Sequence, residues 1–74
     1  MLDRARFKYH CMKANVSLEA VAHHINVNPA TLTRKMNGQS DFTRTEIVKI
    51  RDYLNLSVED AEAVFLVKNL HKRK

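Results

Sequence analysis

Glycine, proline and cysteine each occur once in this chain of 74 residues. A β-sheet protein needs more turn-forming residues than one glycine and one proline supply, so an all-β fold is excluded. The composition, 45% hydrophobic and 28% charged, also excludes a disordered chain. The lone Cys11 excludes an internal disulfide and a cysteine-rich zinc site. We therefore expect one compact all-α domain, residues 1–74, in a reducing compartment.

Long apolar runs are absent too, since the longest is the five residues 63–67. This length excludes a membrane span, and Lys8 and Lys13 interrupt the segment where a signal peptide would be apolar. The sequence has no phosphate-binding glycine loop, nucleophile elbow or paired carboxylates, and its core is too small for an ordinary substrate pocket. We expect a cytoplasmic protein that is not an enzyme and uses no cofactor or small-molecule substrate.

Positive charge is in excess, with a formal net charge of +5 and a pI near 9.7. Such a balance favours polyanions, either nucleic acid or an anionic membrane surface. Residues 1–16 carry +3, residues 17–38 carry +1, residues 39–56 carry 0 and residues 57–74 carry +1. The basic tail, residues 71–74, is interpreted either as a solvated end or as a source of nonspecific attraction to DNA.

Capping residues divide the chain into five predicted helices. A serine, asparagine or threonine precedes each of the last four, and its side chain can accept from the first free amides; these caps are Ser17, Asn28, Thr43 and Ser57. Thr43 with Glu46 forms a capping box, and Pro29 occupies a first helical position. The predicted helices cover 3–14, 18–24, 29–37, a span ending at Asn55, and a last one beginning after Ser57.

The predicted core follows from helical spacing. The expected inward residues of the later helices are Val21, Ala22, Ile25, Leu32, Met36, Ile47, Ile50, Leu54, Ala61, Val64, Phe65 and Leu66. In the first helix two faces compete, one carrying Phe7 and Cys11 and the other a second stripe of Ala5, Tyr9 and Met12. Cys11 is interpreted as a small core residue, and the four histidines as structural or surface residues without a metal.

Residues 17–38 meet the physical requirements of a helix-turn-helix: two short helices, a tight turn, and a second helix with a short polar and basic outer face. Only one helix fits into the major groove of DNA, and here it is the helix over 29–37. The string SLEAVAHHINVNPATLTRKMNG resembles, without a gap, the helix-turn-helix of the lambda repressor and Cro-like (XRE-type) family. Downstream, DFTRTEIVKIRDYLNLSVEDAEAVFL resembles the second half of small phage-type regulators of Gram-positive hosts.

The resemblance implies a five-helix lambda repressor-like domain that regulates transcription by binding duplex DNA. It places base contacts on Pro29, Ala30, Thr33 and Arg34. Of these we expect Arg34 to hydrogen-bond a guanine, Thr33 to assist and Ala30 to touch a thymine methyl group. Residues flanking the recognition helix are expected to contact phosphates, namely Ser17, Asn28, Thr31, Lys35, Asn37, Gln39, Ser40 and Arg44.

Two partners are compatible with this sequence. The first is a palindromic operator bound by a homodimer whose contact surface is Val64, Phe65, Leu66 and Val67, because residues 63–67 form a wider apolar run than one core-facing stripe needs. The second is a phage repressor protein, captured by an antirepressor or modulator that keeps this fold. Leu18, Pro29 and Ala30 are apolar where base-reading side chains are expected, and apolar residues suit a protein contact.

Overall fold

The computed structural model describes residues 2–68, which fold into five helices with no strand among them. The helices are α1 (Arg4–Lys13), α2 (Leu18–His24), α3 (Pro29–Met36), α4 (Arg44–Leu54) and α5 (Val58–Phe65). This confirms the predicted all-α class. In the part of the chain that is described, no helix has the length and apolarity needed to cross a membrane. His71 and the predicted basic tail, residues 71–74, lie outside the described residues.

Every helix begins with a side chain that caps its amino end. In each case the cap accepts a hydrogen bond from the amide three residues later; the caps are Asp3, Ser17, Asn28, Thr43 and Ser57. Thr43 forms the predicted capping box, because Glu46 Oε1 accepts from the Thr43 amide at 2.9 Å. Such a cap contributes about 1 kcal/mol. The helix starts predicted from Ser17, Asn28, Thr43 and Ser57 are confirmed, whereas the cap at Asp3 was not predicted.

Each helix also ends in the same way, with a residue in the left-handed conformation. These residues are Asn15, Asn26, Gly38, Asn55 and Leu66, with φ between 56° and 83°. The next amide then donates to the carbonyl five residues back, as Val16 does to Cys11 at 2.9 Å and Leu56 does to Arg51 at 2.9 Å. This is the Schellman arrangement, which satisfies carbonyls that the helix leaves unpaired. Asparagine replaces glycine at three of the five ends because its side chain tolerates this conformation.

The core collects residues from all five helices and from Leu2 before α1. Phe7 and Cys11 are buried, whereas Tyr9 and Met12 are exposed, which settles the face of α1 that the sequence left open. The ring of Phe65 packs against two others, with centroid distances of 6.3 Å to Phe7 and 5.3 Å to Phe42. The amino end of α1 is held against α5, since the Asp3 amide donates to the Val64 carbonyl at 2.7 Å.

Two expectations for the last helix are wrong. Leu66 was expected to face inward, but α5 ends at Phe65 and the left-handed turn leaves Leu66 56% exposed. Val64 and Phe65 were expected on a partner surface, but both are buried in the core, where α1 and α5 pack together. Of the four residues predicted for that surface, Leu66 is exposed and Val67 is half-buried. The prediction from helical spacing made this helix one residue too long, because spacing gives no sign that a leucine adopts the left-handed conformation.

Gly38 tests how the ends of the helices contribute to stability. A Cβ atom at Gly38 would meet no atom within 4 Å, so a side chain there is opposed only by the φ of +83°. We expect Gly38→Ala to lower the free energy of unfolding by about 1 kcal/mol. Gly38→Asn should cost less, as asparagine serves at three of the other ends. Thermal unfolding of the three proteins measures the difference, and equal midpoints for Ala and Asn would contradict the explanation.

Candidate nucleic-acid interface

Helix α3 has one buried face and one exposed face. Leu32, Lys35 and Met36 are buried against the rest of the protein. The opposite face carries Pro29, Ala30, Thr33, Arg34 and Asn37, all exposed. Four of these side chains are small or short and one is a long cation, so the face can approach another surface closely and can donate hydrogen bonds to it.

Helix α2 supports α3 from behind. Val21 and Ala22 of α2 are buried without any exposed surface, and Ala22 is small enough for the two helices to pack closely. The connection is only four residues, Ile25 to Asn28, and it is held by the Val27 amide, which donates to the Ala22 carbonyl at 3.0 Å. Asn26 takes the left-handed conformation with φ of 62°. The turn therefore has one defined path, and the direction of α3 follows from it.

The two predicted hydrogen-bonding residues of the base-facing set lie next to each other on the exposed face. Arg34 donates from Nη2 to the Thr31 hydroxyl oxygen at 3.2 Å, one turn nearer the start of α3. This bond directs the guanidinium along the helix while it stays accessible. Thr33 is exposed beside it. The arrangement suits recognition of an acceptor-rich surface, because arginine presents only donors.

Five of the predicted phosphate contacts lie at helix starts or in the loop after α3. Ser17 Oγ accepts from the Ala20 amide at 3.0 Å and Asn28 Oδ1 accepts from the Thr31 amide at 2.8 Å, so both are fixed at helix starts. Gln39 and Ser40 are exposed in the loop after α3, and Arg44 is exposed at the first position of α4. These placements are compatible with phosphate contacts, which stay a prediction.

Gln39 is distinctive among the residues that follow the left-handed ends. After the other four helices this position holds an apolar residue that packs against the core: Val16, Val27, Leu56 or Val67. After α3 it holds Gln39, which is exposed. The chain between α3 and α4 therefore begins on the surface and keeps its polar side chains available next to the exposed face of α3.

Lys35 requires a correction. It was predicted to contact a phosphate, but it is buried: its ammonium donates to the Asp41 carbonyl at 2.8 Å and lies 3.1 Å from Glu46 Oε1. The side chains of Lys35 and Glu46 are only 11% and 15% exposed. The ammonium also lies 5.8 Å from the centre of the Phe42 ring. These contacts pair the positive charge of Lys35 inside the protein, so its side chain connects α3 to the start of α4. Its spacing from Leu32 and Met36, three and one residues away, was the signal that places it on the buried face.

Arg4 is the residue near this surface that sequence reasoning missed. Its guanidinium Nη1 donates to Asn37 Oδ1 at 2.6 Å, across 33 positions of the chain. Asn37 is the C-cap of α3, so the contact brings the first residue of α1 to the end of the candidate recognition helix. The only related signal in the sequence is the +3 charge of residues 1–16, which does not say where that charge lies in the fold.

The other chemistry-bearing residues that the structure describes do not form a second site. Within residues 2–68, no group of three or more His, Cys, Asp or Glu side chains is placed to hold a metal ion. His24 stacks on Tyr53 with ring centroids 4.1 Å apart. Burial raises the pKa of the Cys11 thiol to about 11, so at neutral pH very little of the nucleophilic thiolate is present.

Comparisons with known proteins leave the family open. No protein-family model, curated protein or solved structure matches this chain.

Lys35 and Arg34 are adjacent in the sequence, but Lys35 is on the buried face of α3 and Arg34 on its exposed face. Substituting each of them tests this difference in burial. We expect Lys35→Met to lower the free energy of unfolding by roughly 1–3 kcal/mol, because it leaves Glu46 half-buried without its cation. Arg34→Met removes the same charge from an exposed position and should change stability by less than about 0.5 kcal/mol. Urea unfolding measures both. Glu46→Gln combined with Lys35→Met should cost less than the two single changes together, and strict additivity would refute the coupling.

Proposed function

We propose that this chain is a transcriptional regulator that binds duplex DNA through a helix-turn-helix over residues 17–38, in the manner of the lambda repressor and Cro-like proteins of phages. In this proposal α3 enters the major groove, α2 lies across it, and the loop after α3 follows the phosphate backbone. Such a protein works in the cytoplasm at the nucleoid.

The observation that supports the proposal most is the separation of the two faces of α3. Leu32, Lys35 and Met36 are buried inside the fold. Ala30, Thr33 and Arg34 are exposed together on the other side. Small side chains allow the helix axis to come near the base edges, and Arg34 can donate two hydrogen bonds to one guanine. The net charge of +5 favours the same partner.

Arg34 provides the sharpest test of base recognition. Selection from a random duplex library should yield a preferred site, and we expect Arg34→Ala to bind it about 5- to 150-fold more weakly, equivalent to roughly 1–3 kcal/mol. The loss should be concentrated at one guanine: replacing that base should weaken the unaltered protein but not the variant. Electrophoretic mobility shifts with single-base substitutions measure both effects.

Lys13→Ala is the matched control for this experiment, because it removes one exposed positive charge from α1. It should weaken binding slightly and equally on all sequences. If Arg34→Ala behaves in the same way, Arg34 contacts a phosphate and does not recognise a base.

Self-association through the end of α5 is part of the proposal. Leu66 is exposed at the edge of a cleft of about 370 Å³, which it lines together with Asp41, Phe42, Ile47, Phe65 and Val67. An apolar side chain from a second copy can fill that cleft while Leu66 fills its symmetric counterpart. The dimer would present two α3 helices to half-sites about one helical turn of DNA apart.

Leu66→Asn tests the dimer without damaging the monomer. Asparagine removes the exposed apolar surface and relieves the left-handed conformation of a leucine, whose φ is 56°. We expect the monomer to be as stable as before or more stable, by up to about 1 kcal/mol, and self-association to weaken. Sedimentation equilibrium measures the association. Met12→Gln is the control, because Met12 is 73% exposed on α1 and should not affect the dimer.

A second function is favoured by a specific observation, the exposure of Pro29 and Ala30 at the start of α3. Two apolar residues there suit the surface of a phage repressor, and the chain would then act as an antirepressor or modulator. Leu18, which the sequence placed in the same set, is half-buried against the core and contributes less. The two functions separate on the purified protein: direct binding of duplex DNA supports the first, and binding to a repressor's DNA-binding domain without binding to DNA supports the second.

A further inference from the structure

The contact between Arg4 of α1 and Asn37 at the end of α3 extends the proposed DNA interface beyond the helix-turn-helix. We infer that Arg4, together with Asn37, binds a backbone phosphate of duplex DNA at the end of α3. This inference rests on the proposed DNA-binding function and adds to it a contact from outside residues 17–38.

The hydrogen bond from Arg4 determines the orientation of Asn37. A guanidinium can only donate, so the atom of Asn37 that it meets at 2.6 Å is the carbonyl oxygen Oδ1. The amide nitrogen of Asn37 then points to the other side of the carboxamide. With Oδ1 bonded to Arg4, the amide nitrogen of Asn37 and the remaining N–H groups of Arg4 are donors on one exposed surface, and phosphate oxygens are acceptors.

Arg4 differs from three other cations of the fold in the kind of partner it has. Arg6 pairs with Asp3 at 3.1 Å, Arg51 with Asp52 at 3.2 Å, and Lys35 with Glu46 at 3.1 Å, each through a carboxylate. The hydrogen bond of Arg4 goes to a neutral amide, which orients the guanidinium without neutralising it. Its positive charge therefore stays available to an anion.

The position of Asn37 relates this charge to the candidate recognition face. Asn37 follows Thr33 by four residues on the exposed side of α3, so Arg4 stands at the end of the base-facing stripe. A helix that lies in the major groove is flanked by phosphates at its ends. Lys8, one turn further on the same side of α1 and exposed, can follow the backbone beyond this point.

Helix stability does not account for a cation at this position. Arg4 is the first residue of α1, whose first turn contains no acidic residue, and positive charge is unfavourable at the amino end of a helix. Removing the Arg4 side chain should therefore leave the stability of the fold nearly unchanged, so a loss of binding in the variant can be assigned to the missing contact.

The test compares Arg4→Ala with Lys13→Ala. The two cations are nine residues apart, which places them on opposite sides of α1, and both variants lose one charge. Binding to a mixed-sequence duplex of about 30 base pairs is followed by fluorescence anisotropy between roughly 50 and 200 mM salt. Thermal unfolding of both variants shows whether they remain folded.

We expect Arg4→Ala to bind on the order of tenfold more weakly at about 50 mM salt, and its slope of log affinity against log salt to be smaller by about 0.9. The deficit should shrink about threefold at the higher salt and be equal for the selected site and a random duplex. Lys13→Ala should change affinity by less than about twofold. Asn37→Asp keeps the acceptor for Arg4 but turns a negative oxygen toward the phosphate, so it should weaken binding at least as much.

The outcomes distinguish this inference from the function on which it rests. If the unaltered protein binds the duplex and Arg4→Ala matches Lys13→Ala in affinity and salt slope, the phosphate contact is wrong and the helix-turn-helix proposal stands. If the unaltered protein binds neither the mixed duplex nor a selected one, the proposed function fails and this inference fails with it.

Discussion

Burial of the Lys35 ammonium beside Glu46 is the interaction on which the presentation of α3 depends. Glu46 Oε1 lies 3.1 Å from the Lys35 ammonium and accepts from the Thr43 amide at 2.9 Å, so one carboxylate oxygen serves both α3 and the cap of α4. The Asp41 carbonyl takes a further hydrogen bond from Lys35, which fixes the intervening loop. Rotating α3 would leave two partly buried charges without partners, a costly state. The pair therefore defines which face of α3 points outward.

The helices themselves are short, between 7 and 11 residues, and isolated helices of such length are marginal in water. Their stability comes from ends that are satisfied on both sides and from a shared core in which Phe65 contacts rings from α1 and from the loop before α4. The way in which the helices end also affects the candidate interface. At the end of α3 the polar Gln39 takes the place that an apolar residue has elsewhere, which leaves that loop on the surface.

Much of the fold was predictable because its determinants are local. A serine, threonine or asparagine just before a run with helical spacing identifies a helix start, because its side chain can accept from the amide three residues later. An asparagine followed by an apolar residue identifies several of the helix ends. The exposed positions of α3 followed from the helical spacing of its apolar residues. The errors arose where a residue departs from its usual behaviour: Lys35 is a buried lysine and Leu66 is a leucine in the left-handed conformation. Helical spacing places Lys35 on the buried face of α3, but it does not show that Asp41 and Glu46 supply partners for its charge there. For Leu66 the residue type carries no signal, because leucine rarely adopts this conformation.

The amino-acid sequence by itself determined the starts of the last four helices, their caps and the basic character of the chain, because helix starts and caps depend on neighbours within about five residues. Only the tertiary structure decided which face of α1 is buried, that Val64 and Phe65 belong to the core, and that Lys35 joins two helices. It also decided that Arg4 meets Asn37 across 33 residues. The physical reason is that burial and long-range pairing depend on how the helices pack, and each helix alone is compatible with more than one packed face.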